Sequence, residues 1–164
     1  MTYIAVTIIV TTIVAEAHTL NGSHWSSSPV GYYDITTNYS GNVTSRRWDF
    51  NGAVSDMQIQ DSGTPDEVQI SDSAYGSTGW DGLCSWSTIW QPTMYVDLND
   101  SYMLGYAGNK RSAVIAHEFG HCMGGLDHHN STGRIMQSCS CDYYDDDGVW
   151  GIDSGSAAEI NSLW

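Results

Sequence analysis

His117-Glu118-Phe119-Gly120-His121 lies within the stretch Ser112-Ala113-Val114-Ile115-Ala116-His117-Glu118-Phe119-Gly120-His121-Cys122-Met123, which reads as one helix. Asn109 is its expected cap, and Gly124-Gly125 is its stop. His117 and His121 are four residues apart. Both imidazoles therefore leave the same helix face about one turn apart and can hold one zinc ion at ~2.0–2.1 Å. Glu118 is offset along the same helix, where a carboxylate reaches water on the metal's open side as a general base. An isolated H-E-x-x-H also arises by chance in soluble helices, so its companions carry weight. Gly124 stands three residues past His121, where the chain must turn to return a third donor. Asp127 and His128 follow as candidate ligands, and Arg134-Ile135-Met136-Gln137 brings a methionine after a short loop.

Upstream of this helix the sequence alternates apolar and polar residues as half-buried strands do. Strands are expected at Val30–Ile35, Met57–Gln60, Val68–Ser71 and Met94–Leu98, with Thr88-Ile89-Trp90 as a further segment and Pro92 as a break. Val43 to Val54 reads as a helix through Val43, Trp48, Phe50 and Val54. A short helix is expected over Ser156 to Trp164. Strands, a central helix and an irregular C-terminal half make an α+β pattern.

His117-Glu118-x-x-His121-x-x-Gly124-x-x-Asp127 followed by Met136 resembles the metzincin zinc endopeptidases, with their Met-turn. The stretch from Asn109 to His121 is similar to the matrixins, and Asp127-His128 after Gly124 to the snapalysins, in which Asp is the third ligand. The resemblance implies a twisted five-stranded mixed sheet with two helices, a zinc cleft, and a small C-terminal half ending in a helix. It also implies a zinc endopeptidase that cleaves internal peptide bonds with Glu118 as base and His117, His121 and Asp127 as ligands. His128 is the competing third ligand, reached if Gly125 lets the turn bulge by one residue. Met136 would lie under the metal without binding it. Tyr143 and Tyr144 would wall the substrate pocket, against an ordinary surface or core role. The extended substrate is expected to pair with an edge strand near Met94 to Leu98. The alternative from another class is a non-catalytic zinc-binding or adhesion module of the same fold, disfavoured by the complete His-Glu-His set.

Composition bounds the rest. The 164 residues fit one domain, and 19 acidic against 5 basic side chains give a net charge of -14. That charge repels nucleic acid and anionic membranes. The expected partner is a protein or peptide substrate, met by a monomer. Ile4 to Ala15 followed by Ala15-Glu16-Ala17 has the form of a signal peptide over residues 1–17, which leaves 18–164 as an extracellular catalytic domain. The β-branched run Val6 to Val14 is also compatible with a buried strand. The apolar run is too short to span a bilayer. Cys84, Cys122, Cys139 and Cys141 suit two disulfides, with Cys122 and Cys84 each expected to pair with one of Cys139 and Cys141. Asp142 and Asp145 to Asp147 are candidates for a calcium site, against the plainer reading of a solvated acidic loop.

Overall fold

Alternation at Val68 and Ile70, and at Met94, Val96 and Leu98, drives two strands whose inward side chains are all buried. In the computed structural model, which describes residues 25, 28–64, 67–86 and 93–164, these are β3 (Val68–Ser73) and β5 (Met94–Asn99). With β1 (Val30–Asp34), β2 (Ile59–Asp61) and β4 (Gly82–Trp86) they form one sheet of order β2-β1-β3-β5-β4. The pairs are parallel except β4 with β5, which is antiparallel, so the sheet is mixed. The fold is α+β with a five-stranded sheet.

The sheet is covered by helices. α1 (Ser40–Ala53) packs on β2 and on α3 (Gly108–Cys122), and α3 packs on β4 and β5. One short helix, α2 (Asp100–Met103), follows β5, and α4 (Ser154–Asn161) closes the chain. A π-helical turn spans Cys141–Asp146. A single core joins the sheet, α3 and the C-terminal half, where Ile135, Met136, Tyr143 and Ile160 are buried with Phe119 and Ile115. α3 starts at Gly108 behind Ala107, so Asn109 is inside the helix instead of capping it.

Two expectations are corrected. β5 is not an edge: β3 and β4 flank it, and the edge beside α3 is β4, a strand the apolar alternation does not announce. The disulfides are Cys84–Cys122 and Cys139–Cys141, not the crossed pairs. Cys84 on β4 faces Cys122 at the end of α3, with Cα atoms 5.6 Å apart. Ser140 in the αR conformation folds Cys139 and Cys141 back to a Cα separation of 5.1 Å, which the short sequence spacing by itself hides. Among the described residues no helix is long and apolar enough to cross a membrane. The leader over 1–17, its cleavage point, His18 and His24, and Thr88-Ile89-Trp90 with Pro92 lie outside the described residues.

Candidate metal centre

α3 is buried along most of its length, from Ser112 through Gly120, and carries His117 and His121 on the face toward the C-terminal half. The Nδ1 of His117 lies 2.7 Å from the carbonyl of Ile135, and the Nδ1 of His121 lies 2.7 Å from the carbonyl of Leu126. A carbonyl only accepts, so both Nδ1 atoms carry the proton and both Nε2 atoms present lone pairs. Burial, with the neighbouring histidines, pushes His117 down to about 3 and His121 below its usual value, the direction that favours neutral rings. The two Nε2 atoms stand 3.0 Å apart, and the Nε2 of His128 stands 3.3 Å from that of His117. Neutral donors aimed at one point at these distances repel one another unless a cation lies between them. Zinc at ~2.0–2.1 Å from each nitrogen separates tetrahedral ligands by about 3.3 Å, so the donor set fits the metal. Among the described residues His117, His121 and His128 form a group able to hold a metal ion.

The third member is His128, and the end of α3 shows why. The resemblance would place Asp127, three residues after Gly124, at this point. Instead the carbonyl of Phe119 accepts from the N–H of both Met123 and Gly124 at 2.9 Å, and Leu126 N–H reaches back to Gly120 O at 3.0 Å. This widened last turn takes up one residue before Gly125, whose φ of +70° starts the return. His128 then arrives beside the α3 histidines. Asp127 lines the cavity, and its Oδ1 accepts from His128 N–H at 2.7 Å, which orients the ligand segment.

Glu118 is 4% exposed and faces β4. Burial first, and then the Asp81 charge, push its carboxyl up to about 8, against a hydrogen bond from the Cys84 backbone. Gly82 makes room for it: a Cβ there would lie 2.7 Å from Glu118 Oε1. Met136 is fully buried, and its sulfur packs where a Cβ on Gly120 would stand, directly beneath the metal-facing turn. Asp153 ties this segment to α4. Its carboxylate accepts from Ile135 N–H at 3.0 Å, Arg134 Nη1 at 3.0 Å and Ser156 N–H at 3.0 Å, while Ile135 O holds His117. Tyr143 is buried and stacks on His117, with ring centroids 5.0 Å apart and planes at 14°. Burial, with Asp81 and Glu118 nearby, raises its phenol well above the ordinary range. Tyr144 is half-buried against the core.

These groups open on a cavity of about 470 Å³. Its wall includes Trp80, Asp81, Tyr102, Tyr106 and Ser140, none of which the sequence singles out. The only signal there is the Asp81-Gly82 turn dipeptide. Two carboxylates of the acidic run are engaged elsewhere: Asp145 pairs with Lys110, and Asp147 accepts from Gly133 N–H and Gln137 Nε2, both at 2.7 Å. These partners favour the acidic loop over a calcium site. Compared with protein-family models and with curated proteins, the chain matches none.

Proposed function

We propose that this chain is a secreted zinc-dependent endopeptidase with His117, His121 and His128 as metal ligands and Glu118 as general base. The observation that carries the reading is the convergence of three imidazole Nε2 atoms at one wall of an open cavity, with a buried carboxylate on the adjoining helix position. When bound, zinc supplies a Lewis acid that polarises a peptide carbonyl and acidifies a water molecule. A cation bound beside Glu118 would favour its ionised form; the carboxylate then accepts that water's proton as the oxygen adds to the carbonyl carbon, and returns it to the nitrogen as the C–N bond breaks. Gly82 leaves room for the carboxylate, and the Cys84 backbone donates a hydrogen bond to it. Among the described residues no strand pairs with the outer side of β4, which lies along this cavity, where an extended substrate can add main-chain hydrogen bonds. Two disulfides support an oxidising, extracellular setting. The metzincin resemblance of the His117 to Met136 stretch points the same way, now with His128 in place of Asp127.

The test is hydrolysis of casein and of internally quenched peptides by protein stripped with a chelator and then given zinc. The expected result is loss of cleavage on stripping and its return with about one zinc per chain. Stoichiometric zinc without cleavage of any peptide would turn the reading toward the non-catalytic module.

A further inference from the structure

Asp81 sits in the cavity wall immediately before β4, and its carboxylate is balanced only by neutral donors among the described residues. Ser140 Oγ donates to Oδ2 at 2.5 Å, Tyr106 OH donates to Oδ2 at 3.3 Å, and Gly82 N–H donates to Oδ1 at 3.1 Å. Among the described residues no lysine or arginine lines the cavity. The nearby Lys110 is held by Asp145 and lies 4.6 Å from the centroid of the Tyr106 ring. An ionised carboxylate offers about four acceptor positions, so three donors leave capacity for one more.

The position of Asp81 is fixed from β5. Asn99, fully buried at the end of β5, donates its N–H to Asp81 O at 2.9 Å. Its side-chain amide holds Gly76 O, Thr78 Oγ1 and Trp80 O at 2.9–3.2 Å, which pins the approach to β4. Around the carboxylate, Trp80, Tyr102, Tyr106 and Tyr143 supply aromatic walls. A long apolar stem with a cationic head matches this combination. The methylenes lie along the rings and the head reaches the carboxylate, with ring faces adding attraction for the charge.

We propose that Asp81 makes the cavity selective for a basic side chain, lysine or arginine, next to the peptide bond that is cut. The net charge of -14 acts in the same direction at long range, drawing cationic chains toward the protein. The inference rests on the peptidase reading above for what happens to the peptide, but not for its binding.

The experiment uses peptides that differ only in lysine, arginine or norleucine at each position flanking a scanned bond. Cleavage is read with zinc-loaded wild type, and binding by fluorescence anisotropy with zinc-loaded Glu118→Ala. At one flanking position the lysine or arginine peptide is expected to exceed the norleucine peptide by about 10–100-fold in both readouts, the range of one charge-assisted hydrogen bond. In Asp81→Asn that ratio is expected to fall to about 1, and Asp81→Glu is expected to keep most of it. Equal ratios for wild type, or a preference unchanged in Asp81→Asn, overturn the proposal and leave the peptidase reading standing. If Asp81→Asn does not fold, the wild-type ratio and the Asp81→Glu ratio decide. A basic preference in binding with no cleavage of any peptide upholds the pocket and rejects the peptidase.

Discussion

Gly82→Ala probes the seat of the proposed base directly. The added methyl would stand 2.7 Å from Glu118 Oε1, 2.8 Å from Glu118 Cγ and 2.7 Å from Val114 Cγ1. Carbon pairs rest at ~3.5–4.0 Å, so the two carbon contacts are short by about 0.7–1.3 Å. Neither neighbour has an easy retreat. Val114 is fully buried on α3, and Glu118 is 4% exposed on the same helix. The substitution must push β4 away from α3 or turn the carboxylate out of the cavity. Overpacking of this kind typically costs about 1–3 kcal/mol. A catalytic group misplaced by about 1 Å costs on the order of 10² in rate. The histidines are set by α3 and the segment after Gly125, so zinc content is expected to remain at one per chain while kcat/KM falls by about that factor. Denaturant titration of the zinc-loaded protein reads the stability, a peptide assay reads the rate, and elemental analysis reads the metal. Wild-type kcat/KM with an unchanged unfolding midpoint would refute the packing argument.

His128→Ala is expected to weaken zinc binding far more than Asp127→Ala, whose loss removes an orienting hydrogen bond and costs ~10–100-fold in affinity. Competition with a chromogenic chelator ranks the two, and the reverse order would restore Asp127 as ligand. Asp153→Asn should lose about 1.5–3 kcal/mol at neutral pH, because the carboxylate receives charged and neutral donors from Arg134, Ile135 and Ser156. Burial alone raises the Asp153 carboxyl, but these hydrogen bonds outweigh it and hold it below its ordinary value. The stabilisation is therefore complete above the unfolded value of ~3.9 and is lost as pH falls through the lower folded one. Denaturant midpoints measured from pH 7 to 2 should show a steeper acid loss in wild type than in Asp153→Asn, and parallel curves would contradict the assignment. Replacing Cys84 and Cys122 together opens a link with a sequence separation of 38 and should cost about 4 kcal/mol in the chain-entropy model, against about 1 kcal/mol for Cys139 with Cys141, separated by 2. Equal losses by chemical denaturation would argue against the assigned pairs.

What could be read from the sequence was whatever depends on local period. Val68 and Ile70, or Met94, Val96 and Leu98, have no use except as the inner face of strands, and both segments are strands. His117 and His121 share a helix face by spacing alone, and their Nε2 atoms do meet. α1 was legible although Trp48 is 63% exposed, because Val43 and Phe50 carry its buried side. Long-range pairing was not legible. β4 hides because Leu83 points outward at 39% exposure and Cys84 is only half-buried, so no alternation marks it. Without β4, β5 reads as an edge. The third donor turned on one shared carbonyl at Phe119, a choice of helix ending that no residue spacing encodes. Asp81 resembles any acidic residue in a polar turn until Ser140 and Tyr106, from distant parts of the chain, close around it.

The most direct measurement is peptide hydrolysis by Glu118→Ala at full zinc occupancy, with metal content determined on the same sample. Glu118 contacts β4 and the cavity, while the three converging nitrogens come from other side chains. Its removal is therefore expected to leave about one zinc per chain and to lower kcat/KM by at least ~10²–10⁴. Wild-type hydrolysis with stoichiometric zinc would contradict the central claim that this carboxylate moves the proton.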